Sequence, residues 1–164
     1  ENGAEQFDDI TIMAFEYLQE PNTVSSDSTS IEIHNNLKEI TTVIDHFEAF
    51  GNENNIPFAV IQKFNIAFDE LLNNNISYGF QDDKDHLIHV EIELKGDRLI
   101  ITITDDGIPF NPFVKTPPDT MLSVKERDVG GLGIHIVKNL MDEFDYKRNA
   151  DKNVTTLVKH NIHK

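Results

Sequence analysis

The 164-residue chain contains no cysteine and no tryptophan, and only 14 lysines and arginines stand against 29 aspartates and glutamates. Without cysteine there can be no disulfide framework, thiolate metal centre or cysteine nucleophile, which fits a reducing cytoplasm. A formal net charge of -15 repels phosphate backbones and argues against nucleic acid as the main partner. Solubility alone accounts for such a surface as readily as a basic protein partner does. Long apolar runs are also missing: no stretch approaches the roughly 20 residues that a membrane-spanning helix needs, so no membrane role is expected. The opening residues carry no signal-peptide pattern. What is present is 38% hydrophobic residues, among them 11 phenylalanines, enough for a globular core. The sequence opens on Glu1 rather than methionine, so a longer parent polypeptide is expected.

Residues 9–17, DITIMAFEY, are β-branched and aromatic enough for a strand. The small, polar stretch PNTVSSDSTS, residues 21–30, reads as a linker. IEIHNNL then reads as a short strand, and LKEITTVIDHFEAFG as a helix with Leu37, Ile40, Val43, Ile44, Phe47 and Phe50 on one side and Gly51 as its stop. Pro57 opens a second helix running to about Tyr78, its buried stripe formed by Phe64, Phe68, Leu72 and Ile76. HLIHVEIEL and RLIITIT form a hairpin around Lys95-Gly96-Asp97. Ile108 to Gly130 is a long proline-containing loop of the kind that forms lids. GLGIHIVKNLMDEF reads as a glycine-led helix and NVTTLVKHNI as the last strand. The order predicts an α/β sandwich, with helices on one face of a mixed sheet.

Three patterns in this framework carry chemistry. In FDELLNNNISYGF, Glu70 and Asn74 fall one helical turn apart on the same face, with Asn73 and Ser77 beside them. A carboxylate there can orient a nucleophile while the amide oxygen takes a hard cation such as Mg²⁺, which prefers oxygen ligands. Asn75 points nearer the apolar side, and the sequence alone gives it no role. In ITDDGIPF, Asp105 ends a strand and can accept a hydrogen bond from an exocyclic amine, while Gly107 lets a flat ring approach. In GGLGIHIV, Gly130, Gly131 and Gly133 precede a helix whose free N–H groups can hold phosphates. Each pattern alone also has an ordinary reading: a solvated helix face, an Asp-Gly turn, a helix cap. Their order around a proline-rich loop sets them apart.

Together, DELLNN, DDGIPF and GGLGIHIVKNLMDEF resemble the N, G1 and G2 boxes of the GHKL ATPase superfamily, and the last is most similar to its anti-sigma-factor serine kinase branch. The resemblance spans roughly residues 30–164. It implies a Bergerat-type two-layer sandwich with a mobile ATP lid, binding ATP and Mg²⁺. It further implies Glu70 as general base toward a protein serine, Asn74 as magnesium ligand and Asp105 as partner of the adenine amine. Gly107 would back the base, Gly131 and Gly133 would shape the lid around the triphosphate, and Thr156 would place a hydroxyl near adenine, with Thr155 adjacent. The implied activity is phosphorylation of an anti-anti-sigma protein by a kinase that also binds a sigma factor, as a homodimer. A histidine-kinase-type or non-catalytic module that binds a regulator is the alternative.

The chain departs from the family pattern at Tyr78, where a histidine is frequent, and it lacks an arginine directly before the lid glycines, Lys125 and Arg127 lying upstream. Residues 1–20 are similar to the closing strand of sigma-regulatory metal-dependent serine phosphatases. The resemblance implies a phosphatase remnant at 1–20, with Asp8 and Asp9 chemically idle, a linker at 21–29 and the ATP-binding domain at 30–164.

Overall fold

A computed structural model describes residues 26–114 and 129–163. Their order is β1 (Ser26–His34), a 3-10 turn (Leu37–Glu39), α1 (Ile40–Glu53), α2 (Phe58–Tyr78), β2 (Leu87–Lys95), β3 (Arg98–Asp105), α3 (Val129–Leu140), β4 (Glu143–Asn149) and β5 (Lys152–His160). The strands form one five-stranded sheet in the order β1-β2-β3-β5-β4.

Alternation along the strands decides which face is covered. Ile88, Val90, Ile92 and Leu94 of β2 and Leu99, Ile101 and Ile103 of β3 are all buried, and the register pairs Val90 with Ile103 and Ile92 with Ile101. Residues of that parity meet the helices, because side chains two apart share a face. Phe47 of α1 packs against Phe64 and Phe68 of α2 with ring centroids 5.5 and 5.3 Å apart. Such pairs add about 0.5–1.5 kcal/mol each beyond the area they bury. The phenylalanine stripe read from the sequence is thus the helix layer's contribution to the core.

The sandwich is as expected, but the sheet is antiparallel at every described pairing rather than mixed. Two helices connect β1 to β2, so the chain makes two passes and returns running the opposite way. β3 and β4 run in the same direction, but β5 lies between them and opposes both.

Other boundaries also moved. β1 begins at Ser26, inside the stretch expected to be linker, because Ser26 to Ser30 complete the ladder with Glu91 to Lys95. Gly51 does not stop α1 but lies within it, where an added Cβ would come 2.8 Å from the Ile61 side chain. The reversal is made by Asn55, at φ 54°, a conformation asparagine tolerates. α3 starts at Val129 and ends at Leu140, and the Asp-Glu-Phe expected in that helix leads into a strand instead. The sequence reading had no β4. It is a mostly exposed edge strand without apolar alternation, paired with β5 along its length. The strand expected at residues 9–17, Asp8 and Asp9, and the lid segment with Lys125 and Arg127 lie outside the described residues.

Candidate functional site

α2 carries the first half of the site. Helical spacing stacks Glu70 and Asn74, and Asn74 Nδ2 donates to Glu70 Oε1 at 2.7 Å. That bond fixes the amide so that its Oδ1 is turned away from Glu70. Ser77 Oγ donates to Asn73 Oδ1 at 3.2 Å on the neighbouring, exposed strip. The Glu70 carboxyl lies directly against Gly133 of α3, where an added Cβ would overlap it. Glycine is what allows this approach. Gly130 and Gly131 fall in the first turn of α3 rather than ahead of it. A helix's first four N–H groups have no intrahelical partner, so this end of α3 offers donors beside Glu70.

The second half of the site is built around Asp105, which is only 2% exposed. Its Oδ1 accepts from the Gly107 N–H at 2.8 Å and from Asn153 Nδ2 at 2.7 Å. Its Oδ2 accepts from Asn75 Nδ2 at 2.7 Å. A buried carboxylate must be hydrogen-bonded, and three donors meet this one. Gly107 has no room for a side chain: an added Cβ would stand 2.5 Å from the Gly79 carbonyl oxygen. The Ile108 N–H donates to that same oxygen at 2.7 Å, tying the turn after β3 to the end of α2.

Asn153 is held from behind. Its Oδ1 accepts from Tyr146 Oη at 2.7 Å and from Arg148 Nη1 at 2.9 Å, and Arg148 Nη1 also donates to the Gly107 carbonyl at 2.8 Å. The two β4 side chains therefore fix the amide that fixes Asp105. On the other side, His86 bridges Asp106 Oδ1 at 2.9 Å and Asp82 Oδ1 at 2.7 Å, and its ring stacks on Phe80 at 4.7 Å. The hydrogen bond to Asp82 raises the His86 pKa above its ordinary value; partial burial opposes this and Asp106 adds to it.

Between Asp105 and α2 lies a cavity of about 20 Å³ whose lining includes Leu71, Asn75, Gly79, Ile103, Asp105 and Thr155. That is room for about one water molecule. Ile108, Phe110 and Pro112 also line it. The segment after them is pinned by Lys138 Nζ, which donates to the Phe113 carbonyl at 2.6 Å, and by Phe113 against Phe144 with centroids 4.7 Å apart.

The structure thus gathers Glu70, Asn74 and Gly133 at one end and Asp105 and Gly107 at the other, joined by α2. Thr156 is not with them. It pairs with Thr102 on the uncovered sheet face, whereas Thr155 pairs with Ile103 and lines the cavity. The sequence reading missed Asn75, Asn153, Tyr146 and Arg148. Only the third asparagine of NNN was visible as a signal, and nothing in the sequence placed Asn153 opposite Asp105.

No three acidic, histidine or cysteine side chains among the described residues group as a metal site. The donor set still suits Mg²⁺, which can be held by one protein oxygen together with substrate phosphates and water. Asn74 Oδ1 is such an oxygen.

An α/β sandwich with a carboxylate–amide pair on a helix, a strand-end aspartate and a glycine-led helix is the layout of a histidine kinase-like ATPase domain. The chain belongs to that family, which matches residues 33–159 and bears out the GHKL resemblance. It is similar to the serine-protein kinase RsbW of Listeria monocytogenes, at 27% identity over 105 residues, 62% of this chain and 66% of that protein. It also resembles the anti-sigma F factor of Oceanobacillus iheyensis, at 24% identity over 95 residues, 58% of this chain and 65% of that one. Among solved structures, the RsbU and RsbW domains of Rv1364c from Mycobacterium tuberculosis share the fold, with a TM-score of 0.60 at 17% identity, covering 82% of this chain and 32% of that one. The chain therefore spans about two thirds of its named relatives, 66% and 65% in these two cases. No described helix is long and apolar enough to cross a membrane.

Proposed function

We propose that this chain is an ATP-dependent protein serine kinase that acts as an anti-sigma factor and phosphorylates an anti-anti-sigma protein. The observation that carries this reading is the Glu70–Asn74 pair seated against Gly133. A carboxylate and an amide oxygen beside the N-terminal turn of a helix suit the roles of proton acceptor and cation ligand. The names of the relatives support the choice of serine kinase within the family.

In this reading Asp105 binds the exocyclic amine of adenine against Gly107, and the first-turn N–H groups of α3, Gly131 among them, face the phosphates. Asn74 Oδ1 would hold Mg²⁺, which when bound would neutralise charge on the transferring phosphoryl group. Glu70 accepts the proton of the substrate serine as the serine oxygen bonds to the γ-phosphorus and the bond from that phosphorus to the β,γ-bridging oxygen breaks, releasing ADP. Positioning and electrostatics supply most of the acceleration. Thr155, rather than Thr156, is the hydroxyl beside the base.

Glu70→Gln tests the reading. It should bind Mg-ATP like the native chain and lose phosphotransfer to a recombinant anti-anti-sigma protein by about 10²–10⁴-fold. Undiminished transfer would remove Glu70 from the mechanism. The phosphoamino acid in the product separates a serine kinase from a histidine-kinase-type module. A second reading, a module that binds its regulator without turnover, is favoured by the smallness of the cavity beside Asp105. Partner binding with no phosphate incorporated under any condition would select it.

A further inference from the structure

Asp105 has one edge left for a ligand. Its Oδ1 is taken by Gly107 and Asn153, and Asn153 is itself gripped by Tyr146 and Arg148. The carboxylate is therefore fixed in rotation, and only Oδ2 can meet an incoming group. That oxygen is engaged as well, because Asn75 Nδ2 donates to it at 2.7 Å. The amide of Asn75 is an NH₂ on a planar, conjugated carbon beside an acceptor. A 6-aminopurine presents the same arrangement with its exocyclic amine and adjacent ring nitrogen.

Space points the same way. The cavity of about 20 Å³ includes Asn75 in its wall, so a purine enters only if something moves. The Asn75 backbone is fixed, its carbonyl accepting from the Gly79 N–H at 2.6 Å. The side chain is what can yield.

We infer that Asn75 is a built-in competitor for the base-binding oxygen: its amide occupies Asp105 Oδ2 in place of the purine's amine, lowering both nucleotide affinity and discrimination for the amine. This rests on the reading of Asp105 as the base-binding group. In the native chain an entering amine exchanges one charge-assisted hydrogen bond for another, so the net gain is small. Without Asn75 the amine becomes the donor that Oδ2 otherwise lacks. A bond of that kind separates ligands by roughly 10–150-fold.

The test is calorimetric titration of the native chain, Asn75→Ala and Asn75→Ser with Mg-ATP and with Mg-purine riboside triphosphate, which lacks the amine. Thermal unfolding of each protein confirms its fold. The variants should bind ATP about 10-fold tighter, and the preference for ATP over the amine-free analogue should widen by a similar factor. Unchanged or weaker ATP binding by natively folded variants overturns the inference, making Asn75 a support for Asp105. Tighter binding with an unchanged preference also overturns it, making Asn75 only a filler of space. If neither the native chain nor the variants bind ATP, the base-site reading of Asp105 falls first and takes this inference with it.

Discussion

Asn153 faces Asp105 directly across the β3–β5 ladder and donates Nδ2 to its Oδ1 at 2.7 Å, with both side chains buried. Forty-eight positions separate them in the chain. This pair joins the strand that ends in the acid to β5, the last strand of the chain.

Asn153→Ala should therefore cost stability as well as ligand binding. It strips one donor from a buried carboxylate and leaves the Ile108 carbonyl, now 3.0 Å from Asn153 Nδ2, without that partner. Leaving such groups unpaired costs about 1–3 kcal/mol. Urea unfolding should show a loss of that size together with weaker nucleotide binding. A variant as stable as the native chain would mean that water replaces the amide at no cost.

Gly133→Ala should act on chemistry more than on folding. The new methyl must push the Glu70 carboxyl aside, since the two would overlap. Displacing a reacting group by about 1 Å can cost 10²-fold in rate. The expected result is phosphotransfer reduced by about that factor with nucleotide affinity within severalfold of native. If transfer is unaffected, Glu70 does not react from the position it occupies here.

The His86 clasp gives a pH dependence with a definite sign. Because folding raises the His86 pKa, chiefly through Asp82, the protonated form is favoured in the native state. Its contribution is complete below the ordinary histidine value of 6.5 and is lost as pH rises through the raised value. The pKa of Asp82 is lowered, first by His86, so its own share is lost only as acid takes the pH below the usual carboxylate range. NMR titration of the imidazole should place the His86 midpoint above 6.5, and Asp82→Asn should return it toward that value. A midpoint that ignores the substitution would show that the contact is not formed in solution.

Several candidate site residues were legible because their signals are local. Glu70 and Asn74 declare themselves by helical spacing, Asp105 and Gly107 by a strand running into a glycine turn, and Gly133 by its glycine-led helix. Thr155 and Thr156 could not be separated in the same way. Adjacent strand residues point to opposite faces, so the pairing register with Ile103 and Thr102 makes the choice, and register is a long-range property. β4 escaped for a related reason. An exposed edge strand buries no apolar face and so leaves no alternation to read.

By itself the sequence determined the phenylalanine stripe, the hairpin around Gly96 and the stacked acid and amide of α2. Each follows from interactions within a few residues, where periodicity and turn chemistry act. Tertiary structure alone decided that Asn75 and Asn153 converge on one carboxylate, that Tyr146 and Arg148 lock that arrangement, and that the sheet is antiparallel. Those outcomes depend on which strands become neighbours, and a buried charge accepts whatever donors that neighbourhood brings within hydrogen-bonding reach.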